Sequence, residues 1–325
     1  MKKRIIVATA LIVAAAVGGY IGWKAFFGTD KVVVDADATS EKISEYANPK
    51  AFITHDELYK LMNDESADLV IIGAINPATS NTPIEGSFTM WRSDYEAPAD
   101  AYDFGGMANS TAQMEDILSS YGATPDSTIV VYAANAHHDA ARLWWQITML
   151  GHNDVRYLDG GLNAWVGADL PTGNANPKVT PSNYVAPNVN TDILANLDDV
   201  ILALDTDTVI LDTRTAAEEQ GETVSSGAFG PGKIANAPWI EWSNALAEDT
   251  TMKPLAELEQ LYGEFEDQDI ITYCQSGVRS AHTLFVLTQA LGYDNVKNYD
   301  GSWIEWSYEY YEKDNPATLV QNGDK

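Results

Sequence analysis

The feature that most limits what this chain can fold into is a repeat with a fixed offset. Tyr132-Ala133, Leu150-Gly151-His152-Asn153-Asp154-Val155, Leu158-Asp159-Gly160-Gly161 and Trp165 recur as Tyr273-Cys274, Leu291-Gly292-Tyr293-Asp294-Asn295-Val296, Tyr299-Asp300-Gly301-Ser302 and Trp306, each residue 141 positions from its mate. Each copy reads as strand, loop, helix, short strand, turn and aromatic-bearing helix. Thr128–Tyr132 and Asp269–Tyr273 are short β-rich runs. Ala140–Leu150 and Ser280–Leu291 carry helical periodicity, and each ends at a glycine suited to a C-cap. Val155–Leu158 and Val296–Tyr299 are the next strands, followed by Asp-Gly turns. Upstream, residues 68–73 and 207–212 match as buried strands, with helices expected over His55–Asn63 and Asn190–Leu204 before them. Strands alternating with helices predict an α/β chain of two tandem domains, each a parallel sheet flanked by helices.

At 325 residues the chain has room for such a pair at roughly 100–200 residues per domain. The copies are expected over 48–175 and 191–315, joined by a linker over 176–190 and followed by a tail over 316–325. The Pro-, Asn- and Thr-rich composition around the linker supports that division. At the other end, Lys2, Lys3 and Arg4 precede an uncharged stretch from Ile5 to Trp23. That is about the 20 residues needed to cross a bilayer core, so residues 1–28 are predicted to be a signal anchor or signal peptide. Cleavage at Ala14–Ala16 would leave Val17, Tyr20, Ile21, Trp23, Phe26 and Phe27 on a soluble terminus, which favours the uncleaved anchor. No cysteine lies near Tyr20 to carry a lipid. Polar residues 29–47 read as a tether, and the remainder is expected in the periplasm or otherwise outside the cytoplasm, held at the inner membrane.

With 47 acidic against 19 basic residues, the net charge is −28, which repels phosphate backbones and excludes nucleic acid as a partner. Cys274 is the chain's single cysteine, so neither an intrachain disulfide nor a Cys-rich metal site can form. Its surroundings are informative. In Ile270-Ile271-Thr272-Tyr273-Cys274-Gln275-Ser276-Gly277-Val278-Arg279-Ser280, a buried strand ends at the cysteine, a glycine-containing loop follows, and a helix begins. This places the sulfur at the carboxyl edge of a parallel sheet, where such folds bind ligands. Backbone N–H groups of the loop and helix start can converge on it, and Arg279 adds a positive charge. Both favour a thiolate at neutral pH, open to attack. Gly277 permits a backbone angle other residues resist.

On these motifs the chain resembles the tandem-domain rhodanese family, the thiosulfate and 3-mercaptopyruvate sulfurtransferases, over about residues 50–310. The matching segments are Val209-Ile210-Leu211-Asp212-Thr213-Arg214, Gly232-Lys233-Ile234-Ala235-Asn236-Ala237, the Cys274–Arg279 loop and Asn298-Tyr299-Asp300-Gly301-Ser302-Trp303. In the first copy, Tyr157-Leu158-Asp159-Gly160-Gly161 and Trp165 resemble the family's non-catalytic half. The resemblance implies two rhodanese-like domains, the second catalytic. It implies Cys274 as the sulfur-carrying nucleophile, Gln275, Ser276, Gly277, Val278 and Arg279 as substrate-binding, and Asp212, Arg214 and Trp303 as site-supporting, with no metal and no cofactor. Three departures stand out. Lys233-Ile234-Ala235-Asn236-Ala237 occupies the place of the family's His-Ile-Pro-Gly-Ala turn; Gly73 and Ile75 replace the Asp and Arg of the first copy; and Ala133 stands where Cys274 stands in the second. The first domain is therefore expected to wall the cleft rather than react.

The implied chemistry is a two-step transfer. The thiolate takes the sulfane sulfur of a small donor, thiosulfate favoured over 3-mercaptopyruvate, and passes it to an external thiol or cyanide, since no second cysteine exists. Two rivals compete. A cysteine-loop phosphatase needs five residues between Cys and Arg, and here there are four. A non-enzymatic sulfur-carrier or redox-sensing module would use the same thiol without turnover. Elsewhere, His137 and His138 are expected as exposed loop histidines and His282 in a packing role, with tuning of Cys274 its alternative. Trp303 is expected to close over the site, and Trp144, Trp145, Trp165 and Trp306 to belong to the core or domain interface.

Overall fold

The structure, a computed structural model, describes residues 33–134 and 137–323. The predicted membrane helix over residues 1–28 lies outside the described residues. Among those described, no helix is long and apolar enough to cross a membrane.

The first domain contains β1 (Phe52–Ile53), α2 (His55–Met62), β2 (Leu69–Ala74), β3 (Phe88–Met90), α3 (Arg92–Tyr95), α4 (Thr111–Ser120), β4 (Thr128–Ala133), α5 (His137–Met149), β5 (Val155–Leu158) and α6 (Gly161–Gly167), preceded by α1 (Ala36–Ser44). The second contains β6 (Leu194–Ala195), α7 (Leu197–Ala203), β7 (Val209–Asp212), α8 (Ala216–Glu219), β8 (Lys233–Ile234), α9 (Leu255–Tyr262), β9 (Ile270–Tyr273), α10 (Val278–Phe285), β10 (Val296–Tyr299), α11 (Ser302–Tyr311) and β11 (Val320–Gln321). The two main sheets are parallel, with orders β1-β5-β4-β2-β3 and β6-β10-β9-β7, so equivalent strands occupy equivalent places. The central strands β4 and β9 are covered on both faces, which explains their continuous apolar runs. The helix expected over Ser280–Leu291 starts at Val278 and finishes in a π-helical turn over Val286–Ala290.

Register shows what each copy did with the strand end. Gly73 pairs with Tyr132 as Asp212 pairs with Tyr273. A Cβ on Gly73 would stand 2.4 Å from the Tyr132 ring, so that ring fills the space a side chain would need. The Tyr132 hydroxyl contacts Ser87 Oγ at 2.8 Å and accepts the Ile84 N–H at 3.0 Å. The Tyr273 hydroxyl instead donates to Asp212 Oδ2 at 2.6 Å and accepts the Ile234 N–H at 3.2 Å. The turn after Ile234 survives without its glycine because Asn236 adopts φ +60°, a left-handed angle that Asn tolerates; Gly86 has φ +77° at the matching place.

One apolar cluster runs through both halves. Helices α5 and α10 pack across the seam, and Phe285 meets Phe52, Trp144 and Tyr157 with ring centroids 4.8–4.9 Å apart. The repeated Asp-Gly turns anchor this seam in a pseudo-symmetric way. Asp159 accepts the Met252 N–H at 2.7 Å and pairs with Lys42 at 3.0 Å. Asp300 accepts the Ala108 N–H at 2.9 Å and pairs with Arg142 at 2.5 Å. Trp165 and Trp306, also repeat mates, are both buried and donate to the carbonyls of Pro171 and Leu319.

Three segments expected as loose connections are docked. Within 29–47, the tether reading gives way to α1, capped by Asp35, with Lys42 and Tyr46 bonded to the Met252 and Lys253 carbonyls of the second domain. Its buried Ile43, with Tyr46 just past its end, is what the polar composition concealed. The segment over 176–190 lies along the first domain through Ser182, Tyr184, Ala186 and Asn188. Within 316–325, β11 pairs antiparallel with β8.

Candidate active site

Strand β9 delivers Cys274 to its carboxyl end, and the loop turns at Gly277, φ +71°, into α10. Ser302 organises this turn from the neighbouring crossover. Its Oγ accepts the N–H of Cys274 at 3.1 Å and of Gly277 at 2.9 Å while donating to the Tyr299 carbonyl at 2.7 Å, and its own φ is +50°. Two loop N–H groups expected to face the sulfur are thus committed elsewhere. Those of Ser276 and Ser280 favour its ionised form instead. The Ser280 hydroxyl has one proton and two acceptors, Asn298 Oδ1 at 2.6 Å and Cys274 Sγ at 3.5 Å. An anionic sulfur competes for that proton better than a neutral one.

Cys274 is only 1% exposed, more enclosed than the open thiolate the sequence suggests. It belongs to none of the three apolar clusters, however, and sits among donors. Burial pushes the thiol pKa up. The Arg279 charge, the Ser280 hydroxyl and the two N–H groups outweigh burial and bring it below its ordinary value.

Arg279 does not present a free fork. Its Nη1 and Nη2 lie 2.7 and 2.9 Å from the two oxygens of Glu218. Glu218 also closes a capping box with Thr215 and accepts from Ser225. Burial raises the Glu218 pKa, but Arg279 and these hydroxyls overcome it and hold the carboxylate at about 2. Arg279 therefore lowers the thiol pKa while its charge is matched. Sequence reasoning missed Glu218, although Thr215-x-x-Glu218 is a recognisable capping-box spacing.

Of the other expected binding residues, Ser276, Gly277 and Val278 are buried and Gln275 is half-buried. Gln275 reaches the carbonyls of Ser225 and Ser226. Asp212 and Arg214 pair within the strand end, and Arg214 also donates to the Gly232 carbonyl and stacks on Trp303 at 4.8 Å. Trp303 does not close over the site. It is buried beneath the loop, with its backbone N–H on the Cys274 carbonyl and its indole on Gly230.

The first domain adds residues no local motif announced. His137 and His138 are not exposed loop residues, because α5 begins with them inside the seam. The rings of His138 and His282 both meet the Trp242 ring edge-on, with centroids 4.5 and 5.1 Å away. Burial lowers the pKa of all three histidines, that of His137 to about 4. Among the described residues, no three His, Cys, Asp or Glu side chains converge to hold a metal ion. Arg92 reaches in from α3, its Nε on Asp139 at 2.9 Å and its Nη2 3.3 Å from His138 Nε2. Two grooves, of about 1110 and 550 Å³, are lined by other residues, the second by Asp300 and Gly301 behind the loop.

Fold and site together define a tandem α/β protein with one loop-cradled cysteine at a sheet edge. Residues 54–168 and 196–309 each match the rhodanese-like domain, and the chain belongs to the tandem-domain rhodanese family. It is 31% identical over 275 residues to the sulfur carrier protein TtuD of Thermus thermophilus, covering 80% of this chain and 95% of that one. It is 35% identical over 201 residues to a thiosulfate sulfurtransferase of Corynebacterium glutamicum, covering 59% of this chain and 67% of that one. The Tum1 protein of Saccharomyces cerevisiae superposes with a TM-score of 0.70 at 18% identity over 84% of this chain and 98% of that one, a likeness of fold alone.

Proposed function

We propose that this protein is a sulfurtransferase that moves the sulfane sulfur of thiosulfate to a thiol or cyanide through a persulfide on Cys274. The observation that carries the reading is the cradle of Cys274, in which a lone thiol of lowered pKa is faced by the Ser276 and Ser280 donors and by the charge of the nearby Arg279. The thiolate attacks the outer sulfur of thiosulfate, the S–S bond breaks, and sulfite leaves with the electron pair. The nucleophilic acceptor then takes that sulfur, and Cys274 leaves as thiolate. The Ser276 and Ser280 N–H groups hold negative charge at both stages. The relative named as a thiosulfate sulfurtransferase supports the class.

Mass spectrometry of the protein after thiosulfate tests the first half-reaction, with one added sulfur on Cys274 expected. Cys274→Ala is expected to abolish thiosulfate:cyanide transfer with the fold intact, and full activity in that variant ends the reading. Offering 3-mercaptopyruvate in parallel ranks the donors. A carrier without turnover, the second reading, is favoured by the TtuD relative and by the enclosure of the sulfur. It predicts a persulfide that cyanide does not discharge.

A further inference from the structure

We propose that Arg92, supplied across the seam by the first domain, recognises the anionic end of the sulfur donor at Cys274. This deepens the reading of Cys274 as the sulfur-accepting thiol and rests on it. The problem it solves is electrostatic. A chain of net charge −28 repels an oxyanion donor, and Arg279 has both terminal nitrogens closed on Glu218. Another cation must favour the approach.

Arg92 has the free edge that Arg279 lacks. It engages its carboxylate partner, Asp139, through Nε alone, and Nη1 makes no hydrogen bond among the described residues. Its side chain is 36% exposed, against 16% for Arg279. Its place is fixed from below, because Asp139 is fully buried and also accepts from the Tyr95 hydroxyl at 2.8 Å. An arginine only donates, so His138 Nε2 can meet Nη2 only as an acceptor. His138 is the repeat mate of Arg279, and its ring packs on Trp242. The Trp242 N–H bonds Thr213, whose hydroxyl donates to the Tyr273 carbonyl beside Cys274. Arg142, one turn after His138 on α5, donates to the Gly277 carbonyl at 3.2 Å, so the start of α5, with Arg92 against it, lies beside the cysteine loop. The charges agree: Arg92 and Arg279 both act on His138, and the Cys274 thiolate acts on Arg92. The ligand class is a compact donor ending in a sulfonate-like or carboxylate oxyanion.

The test alkylates Cys274, the only thiol, with iodoacetate and with iodoacetamide, reagents alike in size and different in charge. In Arg92→Gln the ratio of the iodoacetate to the iodoacetamide rate constant is expected to fall on the order of fivefold to tenfold. Arg92→Lys recovers part of it, and the remote Arg156→Gln keeps the wild-type ratio. An unchanged ratio in Arg92→Gln overturns the proposal. Should that variant fail to fold, the wild type decides by salt. A ratio that falls with ionic strength supports a local cation, and one that rises shows the acidic surface in command and overturns it. Thiosulfate supplies the third arm, with a KM in Arg92→Gln raised about tenfold. Because alkylation needs no sulfur transfer, wild-type protein that takes no sulfur from thiosulfate sinks the function and leaves the alkylation result standing.

Discussion

Glu218 holds Arg279 by both terminal nitrogens, at 2.7 and 2.9 Å, so the cation nearest the thiol in sequence is matched by a carboxylate from the other side of the loop. The pair is mostly buried, and breaking such a pair leaves an uncompensated charge. Glu218→Gln is expected to cost about 3–5 kcal/mol in denaturant unfolding. It should also lower the Cys274 pKa further, read from the pH profile of iodoacetamide alkylation. Because the native carboxylate titrates at about 2, its stabilisation is complete above its ordinary 4.5 and is lost as pH falls toward 2.

Ser302 ties the loop to the crossover behind it. Ser302→Ala leaves the buried N–H groups of Cys274 and Gly277 without their acceptor. The expected cost is about 2–4 kcal/mol in chemical denaturation, with slower alkylation of Cys274 as the cradle loosens.

Gly277→Ala faces two penalties. Its φ of +71° is strained for any residue with a Cβ, and that Cβ would stand 2.7 Å from Arg142 Nη1 and 2.8 Å from the Asp300 carbonyl. Calorimetry is expected to show a loss of at least about 1–3 kcal/mol, because Arg142 and Asp300 form the buried pair at the seam and cannot yield freely.

His137 stays neutral in the seam, its pKa pushed by burial to about 4 from an ordinary 6.5. The unfolded chain therefore takes up a proton before the folded one does. Stability is full above about pH 6.5 and falls as pH drops through about 4. Over that window His137→Asn should flatten the curve of unfolding free energy against pH by up to about 1.4 kcal/mol per pH unit. An acid limb as steep as wild type in the variant would assign the effect to other groups.

Much of this architecture was legible because an exact repeat fixes which strands are equivalent, and parallel pairing then follows from the alternating pattern. Cys274 was legible because its chemistry is local, with strand, glycine and arginine within six positions. What escaped notice depends on partners distant in sequence. Glu218 lies 61 residues from Arg279, and Ser302 lies 28 from Cys274. The histidines looked like loop residues because nothing in their own segment records that α10 and Trp242 cover them. The polar stretch before Lys50 hid a docked helix because its buried apolar residues, Val34, Ile43 and Tyr46, are few and scattered.

The traded aspartates have one more consequence. Each copy completes its neighbour, since Asp300 is balanced by Arg142 and Asp159 by Lys42 and the Met252 amide. The half without a thiol is therefore not a spare part that could be trimmed to leave a minimal working unit. Cutting it away would strip the counter-ion from the reactive half and lay Phe285 open to water, so the silent copy is retained as scaffolding by the same contacts that shape the cysteine loop.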